Sequence, residues 1–186
     1  MKKYVAALAV TLMLAGAATG RDKASAADAE KRQAAMQNTA IIPGQSIGPI
    51  RLGMGMDEVQ SLLGKPFGWT NADNISGATW RYPDQNLSIS FDRGAAPTVT
   101  AVAATAFPRK RGTLGNLYWK GILPVKVAFQ TADGITLGSS AFDVRRAYGN
   151  QFKDWSGIVM GYNSLGLTFS ITMDHVVWAI GVSAPQ

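Results

Sequence analysis

Apolar positions along this chain follow two periods, and the two alternate. Over residues 56–63, Met56, Val59, Leu62 and Leu63 fall on one face of a helix. Over residues 141–148, Ala141, Val144, Ala147 and Tyr148 take the same places. After each helical stretch the period becomes two. Leu87, Ile89 and Phe91 alternate with Ser88, Ser90 and Asp92, and Leu167, Phe169 and Ile171 alternate with Thr168, Ser170 and Thr172. That alternation predicts antiparallel strands with one buried and one solvated face. Further strands are predicted at 80–82, 98–105, 125–129, 158–162 and 176–182. In the last of these Trp178 shares its parity with Val176 and Ile180, so it is expected to be buried.

The two helix–strand blocks are copies of one unit. Ile50, Leu52, Gly53, Glu58, Val59 and Gly64 match Ile135, Leu137, Gly138, Asp143, Val144 and Gly149 at a constant offset without a gap. Ser140 with Asp143 three residues on forms an approximate capping box; Gly55 is the weaker cap of the first helix, with Glu58 as its acidic partner. Gly64 and Gly149 suit the left-handed position that ends a helix, and Pro66 sharpens the first stop. Each helix would cover the apolar face of its own strands. The expected fold is therefore α+β, two tandem helix-plus-antiparallel-sheet units in a two-layer arrangement, related by a pseudo-two-fold or a simple rotation.

The run of Leu52, Gly53, Met54, Glu58, Val59, Leu63, Gly64 and Pro66, followed by an aromatic and a hairpin, resembles the fold of small outer-membrane-assembly lipoproteins and the secreted β-lactamase inhibitor protein. The resemblance covers residues 42–182. It implies tandem units whose sheet surface grips a protein target. Fold alone does not carry function, so the residues must be weighed separately.

At the N-terminus, Lys2 and Lys3 precede an apolar run from Tyr4 to Leu14, which reads as an export signal over residues 1–20 and is too short for a good membrane span. Leu14, Ala15 and Gly16 resemble a bacterial lipoprotein signal, with Ala17 in the position of the lipidated cysteine. Two readings stand: an ordinary secreted protein cut near Ala17 or Ala26, or a chain whose natural cysteine has been replaced. Residues 21–40 hold almost no large apolar side chain and are expected to be a flexible tether. Residues 41–106 form repeat unit 1, 107–130 an inter-repeat linker, and 131–186 repeat unit 2.

The linker holds the sharpest feature outside the repeats. Arg109, Lys110 and Arg111 lie between a proline and a glycine, with Tyr118 and Trp119 close behind. The cluster reads either as a solvated turn beside two core aromatics or as a contact for an anionic membrane, glycan or acidic protein surface. The chain has no cysteine and one histidine, His175. Disulfides, a Cys–His nucleophile and a multi-histidine zinc site are thereby excluded. His175 falls in an expected hairpin turn, and no Gly-x-Ser-x-Gly elbow or phosphate loop accompanies it. The formal charge of +6 is mild, and nucleic acid is not an expected partner.

These readings converge on a non-enzymatic, cofactor-free protein of the periplasm or outer membrane that binds another envelope protein as an assembly or scaffold component. A secreted enzyme inhibitor is the alternative, and a hydrolase of envelope glycan or peptide the third reading. Candidate contacts are Arg109, Lys110, Arg111, Tyr118 and Trp119 in the linker, with Ser88, Ser90, Thr168, Ser170 and Thr172 on the solvated strand faces. Trp69, Trp80, Trp155, Tyr162 and Trp178 are further candidate anchors, or core residues.

Overall fold

A computed structural model describes residues 30–71, 77–106, 125–155 and 158–186. The fold is α+β in two layers. One layer is an eight-stranded antiparallel sheet. Its strands, in chain order, are β4 (Gly68–Asn71), β5 (Ala78–Tyr82), β6 (Leu87–Phe91), β7 (Val99–Thr105), β9 (Lys153–Trp155), β10 (Val159–Tyr162), β11 (Leu167–Ile171) and β12 (Val177–Ser183). Across the sheet the order is β4-β5-β6-β7-β12-β11-β10-β9. The other layer holds helices α1 (Met56–Leu63) and α2 (Ala141–Tyr148). Beside them lies a small sheet of β1 (Ala40–Ile42), β2 (Ser46–Ile47), β3 (Ile50–Arg51) and β8 (Gln130–Thr131), in which β1 and β8 run parallel.

The alternation of the strands explains the layering. Leu87, Ile89, Phe91, Leu167, Phe169 and Ile171 are all buried, and they share one core with Val59 and Leu63 of α1 and with Ala141 and Val144 of α2. Ile41, Ile47 and Ile50 of the small sheet, with Phe129 just before β8, close the same core. Tyr148 packs against Phe169 with ring centroids 5.5 Å apart, and Trp80 meets Phe91 edge-on at 4.8 Å.

The repeat is carried down to single hydrogen bonds. Gly53 N–H donates to Val99 O at 2.8 Å, and Gly138 N–H donates to Val177 O at 2.9 Å. Each bond ties the lead-in of a helix to the long strand of its own unit. Tyr82 Oη donates to Gly64 O at 3.2 Å, and Tyr162 Oη donates to Gly149 O at 2.8 Å, so each helix end is held by the tyrosine of its hairpin. The two glycines do not take the left-handed helical conformation expected of them. Gly64 has φ 82° and ψ −163°, Gly149 φ 80° and ψ −175°. This region is essentially closed to side-chain-bearing residues, so it restricts these positions to glycine more severely than an ordinary helix cap would.

The relation between the units is a pseudo-two-fold, and the seam proves it. Strands β7 and β12 pair antiparallel, with Ala104 opposite Ile180, Ala103 opposite Gly181 and Val102 opposite Val182. In the repeat Val102 corresponds to Ile180, Ala103 to Gly181 and Ala104 to Val182. Equivalent residues Ala103 and Gly181 thus face each other on the axis, and the pairs on either side exchange.

Several expectations are corrected by the structure. Both long strands carry a bulge: Ser90 and Phe91 pair with Ala101 and Val99, while Ser170 and Ile171 pair with Ala179 and Val177. The extra residues are Thr100 and Trp178. A bulge shifts parity, so Val177 rather than Trp178 enters the core and Trp178 is only half-buried. Residues 125–129 are not a strand; pairing begins at Gln130. The expected tether over residues 21–40 is already docked from residue 30 onward. Residues 30–35 are helical, Met36 packs against the core, and Asn38 Nδ2 donates to Gly48 O at 3.1 Å. Ala17 and the export signal lie outside the described residues.

Two carboxylates fasten local turns. Asp143 accepts from the hydroxyl and backbone N–H of Ser140, completing the capping box of α2, with Arg146 alongside at 2.8 Å. Asp92 accepts from the Thr98 hydroxyl and from the N–H groups of Gly94 and Thr98 across the β6–β7 turn. In both cases the hydroxyl bond comes first among the causes that hold the carboxyl below its ordinary pKa. A depressed folded-state pKa contributes stability above the unfolded-state value and loses it as pH falls through the folded-state value. These contributions are therefore complete above the ordinary carboxylate range and are lost only as pH falls through that range and below it. A double variant Asp92→Asn, Asp143→Asn is expected to show a shallower fall in Tm than the wild type as pH is lowered through and below the ordinary carboxylate range. Identical acid limbs would rule out this role.

Candidate site on the open sheet face

One face of the sheet is covered by the helices, and the opposite face is built from the outward-pointing residues of the same strands. The pairing registers place them in rows. The central row crosses the axis: Gly68 on β4, Arg81 on β5, Ser88 on β6, Ala103 on β7, Gly181 on β12, Thr168 on β11, Gly161 on β10 and Lys153 on β9. Beside it run Thr79, Ser90, Ala101 and Ser183 on one side. On the other side run Thr105, Ala179, Ser170 and Val159, of which Thr105 and Ala179 are buried, so the open part of the face lies over the central row and the Ser90 side.

These side chains are small where the two units meet, with basic Arg81 and Lys153 further out toward the sheet edges. A depression of about 290 Å³ lies over the seam, lined by Ser88, Ser90, Ala101, Ala103, Thr168, Gly181 and Ser183 together with the backbone of Val102 and Val182. Thr79 Oγ1 and Ser90 Oγ share a hydrogen bond of 3.2 Å, and Thr100 Oγ1 donates to Ser90 O at 3.3 Å, which fixes hydroxyl orientation on one flank. The named outward positions hold no carboxylate. Among the described residues no group of three His, Cys, Asp or Glu is placed to hold a metal ion.

Of the five strand residues expected on this face, the structure gathers Ser88, Ser90 and Thr168 around the depression and leaves Ser170 beyond it in the flanking row. Thr172 does not belong to the face. It is 4% exposed, and its hydroxyl accepts from Val176 N–H at 3.1 Å. It corresponds to Asp92, the turn-fastening residue of unit 1, so its place in the repeat explains its burial. Arg109, Lys110, Arg111, Tyr118 and Trp119 lie outside the described residues. Among the aromatic candidates, Tyr162 is buried and Trp80 half-buried against Phe91. Trp69 and Trp155 sit on the two edge strands.

Sequence reasoning passed over Ala101, Ala103, Gly181 and Ser183. The signal was present: apart from the bulge residue Trp178, the outward positions of two seven-residue strands hold only Ala, Gly, Ser and Thr. Small residues at such positions bring the backbone close to whatever approaches the sheet.

No family model matches the chain, and no curated protein matches it. Among solved structures the chain is similar to a DUF4309 family protein (YjgB) from Bacillus subtilis subsp. subtilis str. 168. The TM-score is 0.42 and the identity 11%, over 84% of this chain and 95% of that one.

Proposed function

We propose that this protein is an exported, non-enzymatic component of the bacterial envelope that holds a partner protein against the open face of its sheet. The observation that carries the reading is the uncharged, small-residue centre of that face, with Arg81 and Lys153 further out along its central row, toward the two sheet edges. Interface centres are depleted in charge and surrounded by a polar rim, and this arrangement has that character. Hydroxyls of Ser88, Ser90 and Thr168 supply adaptable hydrogen bonds, while Ala103 and Gly181 leave room for a partner's side chains. The N-terminal leader and the lipoprotein-like position at Ala17 support an envelope location.

Ser88 and Thr168 are equivalent under the pseudo-two-fold, and both point away from the core. Ser88→Arg and Thr168→Arg are expected to leave stability within about 1 kcal/mol, as for other surface changes. Each should reduce recovery of the partner in an affinity pull-down from native envelope by tenfold or more, because a charged bulky group would stand in the interface centre. Recovery of the same proteins in the same amounts by wild type and both variants would remove the sheet face as the binding site.

A further inference from the structure

At the centre of the open face, the seam pair Ala103 and Gly181 has one hydroxyl on each side. Ser88 pairs with Ala103, and Thr168 pairs with Gly181. Both are half-buried, and neither hydroxyl makes a hydrogen bond among the described residues. Neighbouring strands lie about 4.8 Å apart, so these hydroxyls stand about 7 Å to either side of the axis. An extended chain advances by nearly the same length, about 6.7 Å, in two residues. A segment laid along the central row with one residue over the seam therefore brings the residues two before and two after it to Ser88 and Thr168. Arg81 is about 12 Å from the axis and Lys153 about 17 Å, which is about four and five residues along the same segment.

The seam itself suits one anchor side chain. The depression of about 290 Å³ falls just below the size at which small-molecule pockets begin, about 300 Å³. Its floor is the Ala103 methyl and the bare Gly181 backbone, and its rim is hydroxyl. Interface anchors are most often Trp, Tyr or Arg. Arginine is disfavoured here, because the outward positions hold no carboxylate and carry Arg81 and Lys153. Trp and Tyr fit: each has an apolar ring for the floor and one polar tip for the rim. The surrounding acids do not cancel the basic row. Asp84 is paired with Lys126, Asp92 is bonded into its own turn beside Arg93, and Asp174 lies out in the β11–β12 turn. Asp154 pairs with the core residue Met160, not with an outward position. Arg81 is exposed and has no ion-pair partner among the described residues.

We infer that the partner presents an extended segment with one tryptophan or tyrosine over Ala103 and Gly181 and acidic residues toward Arg81 and Lys153. The inference rests on the sheet-face reading and adds the chemistry of what that face holds. A second copy of this chain is a poor occupant of the face, since it would set basic row against basic row.

The probe is a synthetic peptide about nine residues long, with tryptophan at its centre and glutamate at both ends. Binding is read from the backbone amide shifts of Ala103, Thr168 and Gly181 in the isotope-labelled full chain. The wild type is expected to bind the peptide at millimolar concentration with shifts centred on these three residues. A peptide with alanine at its centre should bind about tenfold more weakly. A peptide with lysine at both ends should bind roughly two- to fivefold more weakly at low salt, and the difference should fade as salt rises. Gly181→Val should weaken binding of the tryptophan peptide about tenfold by filling the depression. A Cβ there would meet Thr168 Cβ at 3.7 Å and Thr168 O at 3.8 Å, which are ordinary contact distances. Ala103→Val fills the same space from the facing strand and serves if Gly181→Val melts early. The inference is overturned if the tryptophan peptide leaves the seam amides unmoved, if the alanine or lysine peptide binds as tightly, or if both valine variants bind like wild type. Self-association of the wild type that Gly181→Val abolishes would make the occupant a second copy and overturn it too. The sheet-face reading fails separately: it stands, and the anchor falls, if Ser88→Arg and Thr168→Arg lose the envelope partner in the pull-down while Gly181→Val retains it.

Discussion

Gly166→Ala is expected to destabilise the protein by about 2–5 kcal/mol, from a strained backbone conformation combined with overpacking. Gly166 follows the short 3-10 turn Asn163–Leu165 and has φ 65° and ψ 31°. An alanine Cβ would stand 2.1 Å from Ser183 O and 2.9 Å from Gly44 Cα. Both obstacles are backbone, so no side-chain rotation relieves the clash. The substitution must push apart the end of β12 and the turn before β2, two segments that bear on the shared core. Chemical denaturation measures the effect directly. A loss under about 1 kcal/mol would mean that this close approach is not maintained in solution.

Asn86→Ala is expected to cost about 2–4 kcal/mol, because buried groups are left without hydrogen-bond partners. Asn86 is 4% exposed and has φ 56°. Its Oδ1 accepts from Lys126 N–H at 2.8 Å and Val127 N–H at 3.1 Å, and its Nδ2 donates to Thr105 O at 3.1 Å. One side chain thus fastens the segment entering unit 2 to the hairpin of unit 1. Asn86→Asp would test the same contacts differently: it keeps the acceptor for the two N–H groups and removes the donor to Thr105. Denaturation of both variants should place Asn86→Asp between wild type and Asn86→Ala at neutral pH. If Asn86→Ala is neutral, the clamp has no energetic role.

These two positions are the same position. Asn86 precedes Leu87 as Gly166 precedes Leu167, both have positive φ, and their carbonyls accept from Thr105 and Ser183 N–H respectively. In unit 1 there is room for a side chain, and asparagine tolerates the conformation while reaching the linker. In unit 2 Gly44 and Ser183 fill that room.

That contrast shows why some of the fold was legible in the sequence and some was not. The helices and the strands at 87–91 and 167–171 follow from local periodicity, and the repeat follows from matched residues such as Gly53 and Gly138. The edge strands β4 and β9 are four and three residues long, too short for period two to declare itself. Trp178 was misplaced because a bulge inserts one residue, and a bulge leaves no mark in the alternation before it. Asn86 gave no signal because its side-chain partners are 19, 40 and 41 positions away. Within the candidate site, the hydroxyls of Ser88, Ser90 and Thr168 were readable from alternation. The depression was not, because it depends on β7 pairing with β12, and that pairing is set by a symmetry axis rather than by neighbouring sequence.

The seam between β7 and β12 has a genealogical consequence. Ala103 facing Gly181, with exchanged pairs on either side, is the geometry of an isologous interface, the kind two identical subunits make with each other. The molecule is arranged as a homodimer of half-length chains would be, with that interface internal to one polypeptide. Joining the halves released each from the obligation to match the other. Asn86 beside Gly166, and Gln60 and Ser61 beside Arg145 and Arg146, are divergences that a homodimer encoded by one gene could not hold.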